Sequence, residues 1–600
     1  MTKNIRKAVD WLILILAPAL IFYATQFIIF NITDTVKLRM QAANVIFYEL
    51  IAWLLIAITR KVRLSLIIEL VFFWFVAMAD AYVFIFRDSY IQPWDILSFG
   101  TAMSVANNFS YTPAPRMIAG SLMCAALFGV ICFCKADVEK IFKTLKVRLL
   151  VSALCIACLT AFTVGLQSDE FCKKIGFHEG KFRLYVTTQY NGYLMGFLNK
   201  IKYLSVAKPE GYSASAEKEI LESVNVSSET SSEDYPDIVV VMNEAFSDPA
   251  VDADFSTNVD YMPFIHSLQN GGENAVTGYV NVSVNGGNTP NSEFEFLTGH
   301  TMAFLPESSI AYQTYVNKDI NAMPRYLKSL GYQTIGMHDY EASGWNREYV
   351  YPRLGFDETH FDEYFYQFNP TIVRDYISDA SLFDQIGYEL DNREDADAPV
   401  FSFSVSMQNH SAYDGDPENF ERTVFVDGLD DIEDKYVKRL SNYLSLVKLS
   451  DEALQDFTEK LKDSDRKTIV VMFGDHQPTA SVLRKIYELN GKNYKELDET
   501  DTNNLYRVPF IIWANYDIEE RSGIETSLNY LGNYVFDAAG VPLNSYQHML
   551  TTFEKDYPVV SAIRTINSKG ESNSIKDSVS YLNEYQKLQY YELFDAKCDQ

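Results

Sequence analysis

Cysteine is scarce where a disulfide-braced secreted domain would need it. The 600-residue chain has seven, at positions 124, 132, 134, 155, 158, 172 and 598, and none lies between 173 and 597. A large domain in that interval cannot rely on disulfides, so the cysteine pattern does not reveal its compartment. Cys132 and Cys134 lie in an apolar run, which argues against reading them as a metal pair. Basic residues are also short, 51 Lys and Arg against 79 Asp and Glu, and the formal net charge of −28 argues against a nucleic-acid partner. Histidine is rarer still, with eight in the chain. No low-complexity tract or internal repeat stands out. Apolar residues are abundant at 48%, with 14% aromatic, enough to bury a large core and, at this length, more than one domain.

The longest apolar stretches crowd the first quarter, at about 11–30, 43–59, 64–86, 117–134 and 149–167. Each is near the roughly 20 residues that cross a bilayer. The first opens a series of spans and so is not read as a removed signal peptide. Lys3, Arg6 and Lys7 precede it; Arg60, Lys61 and Arg63 separate the second and third stretches; Lys135, Lys140, Lys143, Lys146 and Arg148 separate the fourth and fifth. The alternate loops hold only Lys37 and Arg39, then Arg87 and Arg116. By the positive-inside rule the N-terminus is cytoplasmic, and an odd number of spans leaves everything after 167 outside. A multi-pass transmembrane domain over 1–167 follows. Glu49, Glu69 and Asp80 fall within these spans, where ionisable groups are costly, and they either face a polar groove for a lipid headgroup or pair inside the bundle. The loop 92–100, with Trp94, Phe99 and nearby Tyr111, suits the membrane interface. Residues 168–235 read as interfacial helices around 181–204 followed by a linker.

From Asp237 short apolar strands alternate with amphipathic helices, which predicts an extracytoplasmic α/β domain over 236–555 with a largely parallel sheet. Strands are expected at 237–243, 332–337, 399–407, 467–473 and 508–513, and helices near 261–270, 290–299, 321–330, 372–391 and 434–463. The tail, 556–600, ends in a Tyr- and Leu-rich helix around 579–595 with no evident chemistry. Polar residues follow four of the strands: Glu244; His338 and Asp339; Asn409 and His410; Asp475 and His476. In open α/β sheets ligands bind beyond the carboxyl ends of the strands. Singly, each residue reads equally well as a helix cap or a surface acid. Jointly, they gather acids and histidines at one edge.

One stretch organises the rest. Gly286–Leu297 reads GGNTPNSEFEFL, a glycine-led loop entering a helix with Pro290 in its first turn. Thr289 then stands at a helix mouth, where backbone N–H groups and the dipole favour a phosphate. Its hydroxyl is either an N-cap or, beside a metal ion, a nucleophile toward phosphorus. Glu244, Thr289, Asp475 and His476 supply three oxygens and one nitrogen, a set suited to one divalent ion, Mn²⁺ or Mg²⁺, with Zn²⁺ admitted by the histidine.

Five motifs in order resemble the lipoteichoic acid synthases and related phosphoglycerol transferases, membrane-anchored members of the alkaline phosphatase and sulfatase superfamily. They are Asn243-Glu244, Asn288-Thr289-Pro290-Asn291-Ser292-Glu293-Phe294, Gly344-Trp345-Asn346-Arg347, Asn409-His410 and Gly474-Asp475-His476. The resemblance implies five spans with a sulfatase-like outer domain, a metal held by Glu244, Thr289, Asp475 and His476, and nucleophilic attack by Thr289. It implies that His338, Trp345, Arg347 and His410 hold the phosphate and glycerol head, with Arg347 and His410 also serving the chemistry. Some members carry an aspartate two residues after the histidine, where this chain has Tyr340, and Asp339 is the expected substitute. A sulfatase's formylglycine needs Cys or Ser followed by x-Pro-x-Arg, which Thr289-Pro290-Asn291-Ser292 does not supply.

The implied reaction moves glycerophosphate from phosphatidylglycerol to a polyglycerolphosphate or glycolipid acceptor, as in lipoteichoic acid synthesis for the cell wall, through a phospho-threonine. Two alternatives stand beside it. A phosphoethanolamine transferase shares the anchor and the threonine but predicts zinc and several disulfides. A non-catalytic membrane scaffold or sensor would keep the fold alone.

Overall fold

The computed structural model describes residues 3–30, 35–87, 90–96, 112–136, 138, 142–178, 184–201, 206–224, 235–307, 309–342 and 344–598. Phe99, Tyr111 and the serine- and acid-rich stretch before Tyr235 lie outside them, as does the side chain of Trp94. Two compact units divide the chain near residue 205.

In the first unit, helices Lys3–Ile29, Leu38–Thr59, Val62–Arg87, Pro115–Phe133 and Leu145–Gly165 are apolar along their length. All five are long and apolar enough to cross a membrane. A helix suits that medium because it satisfies its own backbone hydrogen bonds. Phe22, Tyr48, Leu66, Phe73 and Met117 pack inside the bundle, while Leu20, Phe75, Leu122 and Leu154 face outward. Several polar groups within the bundle find partners in this unit, while both carboxylate oxygens of buried Glu69 have no hydrogen-bond partner among the described residues. The Tyr48 and Tyr193 hydroxyls lie 2.8 Å apart, Asn44 Nδ2 donates to the Asn191 carbonyl at 2.8 Å, and Asp80 Oδ1 accepts from the Ile91 N–H at 2.6 Å. Within the stretch expected to hold interfacial helices lie helices Leu184–Asn191 and Tyr193–Asn199, preceded by Asp169–Ile175.

The second unit is built on strands β1 (Asp237–Asn243), β2 (Ala275–Asn281), β3 (Gln333–His338) and β4 (Glu358–His360), the hairpin β5 (Ile372–Val373) and β6 (Tyr376–Ile377), and β7 (Val400–Val405), β8 (Thr468–Gly474), β9 (Arg507–Ala514) and β10 (Arg521–Ser527). All but the hairpin form one sheet in the order β10-β2-β9-β8-β1-β7-β3-β4. Strand β9 runs antiparallel to both its neighbours. The four consecutive strands β8, β1, β7 and β3 are mutually parallel. Their carboxyl ends therefore meet at one edge, and β2, antiparallel to β9, ends at that edge too.

Alternate residues of β1 face opposite layers. Ile238, Val240 and Met242 pack with Phe294, Phe296 and Leu531, and Val239 and Val241 pack with Leu440, Leu444 and Ile386. Both faces are covered, which is why the central strands read as unbroken apolar runs. The helix Thr289–Thr298 is buried at all ten positions.

Strands β2, β4 and β10 escape a pattern search. Gly278 weakens β2 as a strand signal, but a Cβ there would lie 2.1 Å from the Ile524 carbonyl oxygen, so glycine is what lets β10 pair. The expected helix 372–391 begins instead at Asp379, with the Ser378 hydroxyl accepting from the Ser381 N–H. β-Branched Ile372, Val373 and Ile377 take up the hairpin, and Arg374 turns it at φ 56°. The tail forms a three-stranded antiparallel sheet and the helix Asn583–Tyr590, whose Tyr585 hydroxyl donates to the Gly299 carbonyl at 2.9 Å.

Glu295 ties these parts together. Its Oε1 accepts from Ser283 Oγ at 2.7 Å, Thr301 Oγ1 at 3.2 Å and the Met302 N–H at 2.8 Å. Burial pushes its carboxyl up to about 7. A carboxyl raised in the folded state contributes stability that is fully present below its unfolded pKa and is lost as pH rises through the folded value. Glu295→Gln should therefore lose less thermal stability than wild type between about pH 5 and about pH 8. Melting curves of both proteins across that range check it, and parallel curves would count against the assignment.

Candidate active site

The edge where β8, β1, β7 and β3 end collects the polar residues. Glu244 follows β1, Asp475 and His476 follow β8, His410 lies in the loop after β7, and His338 and Asp339 stand at the end of β3. Thr289 arrives from β2 through Gly286 and Gly287, as the first residue of the buried helix, with Asn288 at φ 69° before it. Gly474 is required at the β8 end, because a Cβ would lie 1.9 Å from the Phe246 carbonyl oxygen. Ala245, beside Glu244, takes φ 48°, a strained value of the kind held at functional sites.

Glu244, Asp475 and His476 each offer a ligand atom within 4.8 Å of the others, and they are 4%, 0% and 3% exposed. The Thr289 hydroxyl lies 3.5 Å from Glu244 Oε2. His476 Nδ1 sits 2.9 Å from the Gln477 carbonyl, which can only accept, so that nitrogen carries the hydrogen and Nε2 of the neutral ring keeps its lone pair. This Nε2 lies 3.1 Å from Asp475 Oδ2 and 3.8 Å from Glu244 Oε1. Neither His476 Nε2 nor Asp475 Oδ2 has a hydrogen-bond partner. Meanwhile Asp475 Oδ1 is fixed by the N–H groups of Ala245 and His476, both at 2.8 Å. Buried lone pairs facing one another repel unless a cation lies between them, and the donor set fits a divalent ion. Burial, and then the neighbouring Asp475, push the Glu244 carboxyl well above its usual range.

A second group braces this one. Arg347 reaches Glu293 through Nε at 3.0 Å and Nη2 at 2.6 Å, and Nη1 donates to His338 Nε2 at 2.9 Å. Burial opposes the charge on Arg347, but Glu293 outweighs it. His338 Nδ1 donates to the Val405 carbonyl at 2.9 Å, so both its ring nitrogens are engaged, and burial followed by Arg347 holds its pKa well down. Glu293 takes the Nε and Nη2 side of Arg347, while His338 and the Gly344 carbonyl, at 3.4 Å, take Nη1. Trp345 and Asn346 take φ 55° and 67° at the entry to the helix Arg347–Leu354. Asp339 is buried, and burial together with Asp379 pushes its carboxyl well up. His410 is half-buried, and burial lowers its pKa to about 4.

Sequence reasoning assigned no role to Glu293, which lies one helical turn after Thr289 and also accepts from the Tyr351 hydroxyl at 2.9 Å. It also passed over Asp379. Asp379 Oδ2 accepts from Asn243 Nδ2 at 2.7 Å, while Asn243 Oδ1 accepts from Asn409 Nδ2 at 2.9 Å, locking the ends of β1 and β7 together.

Among known families, the sulfatase model matches residues 236–541. A protein of Rhizobium meliloti strain 1021, named for cyclic beta-1,2-glucan modification, is 29% identical over 395 residues, covering 64% of this chain and 58% of that one. The lipoteichoic acid synthase-like YvgJ of Bacillus subtilis strain 168 is 26% identical over 37% of this chain and 34% of its own length. The lipoteichoic acid synthase of Staphylococcus aureus strain USA300 is 23% identical over 36% of this chain and 32% of its own. The chain thus spans 58% of the first of these relatives and about a third of the other two.

Two solved structures share the fold. Streptococcus pyogenes phosphoglycerol transferase GacH, in complex with sn-glycerol-1-phosphate, aligns with TM-score 0.50 and 21% identity over 66% of this chain and 100% of that one. Neisseria meningitidis lipooligosaccharide phosphoethanolamine transferase EptA aligns with TM-score 0.52 and 13% identity over 90% of this chain and 97% of that one.

A divalent cation held by the Glu244 set stabilises the folded protein by mass action. Millimolar Mn²⁺ should raise the melting temperature, EDTA should reverse the rise, and Asp475→Asn should remove it. An equal rise in the variant would place the ion elsewhere.

Proposed function

The chain belongs to the sulfatase family, and on that premise we propose that it is a metal-dependent phosphoglycerol transferase of the lipoteichoic acid synthase type. Its donor is phosphatidylglycerol, and its acceptor is a polyglycerolphosphate chain or a glycolipid. The observation that carries this is the placing of the Thr289 hydroxyl beside three buried ligand atoms at a helix N-terminus. The names of the Bacillus and Staphylococcus relatives support the chemistry. The Rhizobium relative, matched over more of this chain, favours a glucan as a second candidate acceptor.

Glu244, Thr289, Asp475 and His476 hold one divalent ion, Mn²⁺ or Mg²⁺. Bound there, it supplies Lewis acidity toward a phosphoryl oxygen and a lowered pKa for the threonine hydroxyl. Thr289 Oγ1 attacks the phosphorus of the lipid headgroup. The new O–P bond forms as the bond to diacylglycerol breaks, and the proton given up by the threonine hydroxyl ends on the departing oxygen, which leaves as the alcohol. The acceptor hydroxyl then forms its own bond to phosphorus while the threonine ester breaks. The Arg347 guanidinium offsets the phosphoryl charge electrostatically, with Glu293 keeping it in place. His338 orients Arg347. His410, neutral at pH 7, suits removal of a proton from the incoming hydroxyl rather than charge pairing with phosphate. Trp345 and Asp339 shape the headgroup pocket.

The distribution of Lys and Arg puts the outer unit on the extracytoplasmic side of the cell membrane, where both a lipid donor and a lipid product are within reach of a membrane anchor. A phosphoethanolamine transferase remains the rival on fold alone, and the absence of cysteine from 173 to 597 weighs against it.

Purified protein incubated with fluorescent phosphatidylglycerol or phosphatidylethanolamine and Mn²⁺ should release diacylglycerol from the first lipid. Thr289→Ala should lower the rate by about three orders of magnitude or more. Turnover of phosphatidylethanolamine alone would establish the rival, and silence on both lipids would leave a non-catalytic scaffold.

A further inference from the structure

Residues 406–413 follow β7 without regular secondary structure, so their carbonyls need partners from elsewhere. Five in succession are held by three side chains. Arg374 Nη2 donates to the Gln408 and His410 carbonyls at 2.7 and 2.6 Å, and Nη1 donates to that of Ala412 at 2.8 Å. The Tyr413 hydroxyl donates to the Asn409 carbonyl at 2.7 Å, and the Tyr376 hydroxyl to that of Ser411 at 3.3 Å. Arg374 and Tyr376 both belong to the small hairpin, Arg374 at its turn with φ 56° and Tyr376 at the start of β6. That turn is itself tied down, since Asn419 Nδ2 donates to the Ile372 and Arg374 carbonyls at 2.9 and 3.0 Å. The Arg374 guanidinium lies 5.6 and 5.5 Å from the ring centres of Tyr376 and Tyr413.

The same hairpin touches the imidazole. His410 Nδ1 lies 2.8 Å from the Ser411 carbonyl oxygen and 3.0 Å from the Tyr376 hydroxyl. A carbonyl only accepts, so Nδ1 carries the hydrogen, and in the neutral ring Nε2 keeps the lone pair. Two tyrosine rings connect His338 with His410: His338 to Tyr340 at 6.3 Å, Tyr340 to Tyr376 at 5.9 Å, and Tyr376 to His410 at 5.5 Å. Tyr340, the position that departs from the acid of some relatives, is here part of an aromatic brace.

We propose that Arg374 and Tyr376 are positioning residues for His410: the hairpin fixes both the loop that carries it and the tautomer that leaves Nε2 as a proton acceptor. The inference rests on the transferase chemistry proposed above. In the second step the acceptor oxygen bonds to phosphorus, its proton passes to His410 Nε2, and the Thr289 ester bond breaks. The proton then returns to the threonine oxygen, restoring both groups.

Tyr376→Phe keeps the ring and removes only the hydroxyl, and Arg374→Lys keeps the charge and removes the fork. Full-length wild type and both variants are compared for diacylglycerol release from phosphatidylglycerol and for the ¹⁵N signals of the His410 ring. His410→Gln supplies the assignment among the eight histidines. A melting temperature still raised by Mn²⁺ shows that each variant is folded. The expected result for Tyr376→Phe is a kcat about tenfold to a hundredfold lower at unchanged KM, with the Nδ1–H tautomer giving way to a mixture. Arg374→Lys should lower kcat in the same direction. A wild-type kcat or an unchanged tautomer in Tyr376→Phe overturns the inference. If wild type releases no diacylglycerol from any lipid, the transferase reading fails separately, and the tautomer alone then decides the positioning claim.

Discussion

Buried metal-ligand atoms that converge on one point are the constraint on which the second unit turns. His476 Nε2 and Asp475 Oδ2 face each other at 3.1 Å, with Glu244 close by and all three buried. Such an arrangement is expensive in a low-dielectric interior unless a cation completes it. Its surroundings hold it in place. Two N–H groups fix Asp475, the Gln477 carbonyl fixes the His476 ring, and Gly474 makes room for the Phe246 carbonyl. The sheet supplies the underlying order, because side-by-side parallel strands must all end on the same edge.

Around that centre, charge is balanced pairwise rather than spread. Glu293 engages Arg347, Arg347 engages His338, and His338 reaches β7, so a single chain of hydrogen bonds runs from the helix that begins at Thr289 to the end of β7. A buried guanidinium paired in this way is oriented before any ligand arrives, which is what preorganised electrostatic stabilisation needs. The hairpin plays the equivalent part for His410. Glu293, Arg374 and Tyr376 thus frame the site without touching substrate in the proposed reaction, and they leave the reacting groups little freedom.

Much of this was legible in the sequence because strand ends and helix starts leave marks. The apolar runs within β1 and β8 are unbroken, and Thr289-Pro290 announces a helix mouth. The four histidine- or acid-bearing strand ends could therefore be placed together without coordinates. What escaped did so for physical reasons. Gly278 dilutes β2, although the close approach of β10 demands it, and β10 itself, Arg521–Ser527, is mostly polar because it forms the sheet's edge. The hairpin at 372–377 is too short to show a period, so its residues merged with the helix that follows. Glu293 stood in a quoted motif, but its partner lies 54 residues away, and no local pattern reveals such a pair. Arg347 meets the same limit, since the sequence does not show that a buried carboxylate already pairs with its guanidinium.

The most direct test of the central claim is an anomalous difference map from crystals of the protein loaded with Mn²⁺. One peak at bonding distance from Glu244, Asp475 and His476, with the Thr289 hydroxyl as a fourth ligand, is the predicted result. A map with no peak there, or with the ion bound away from Thr289, would contradict it.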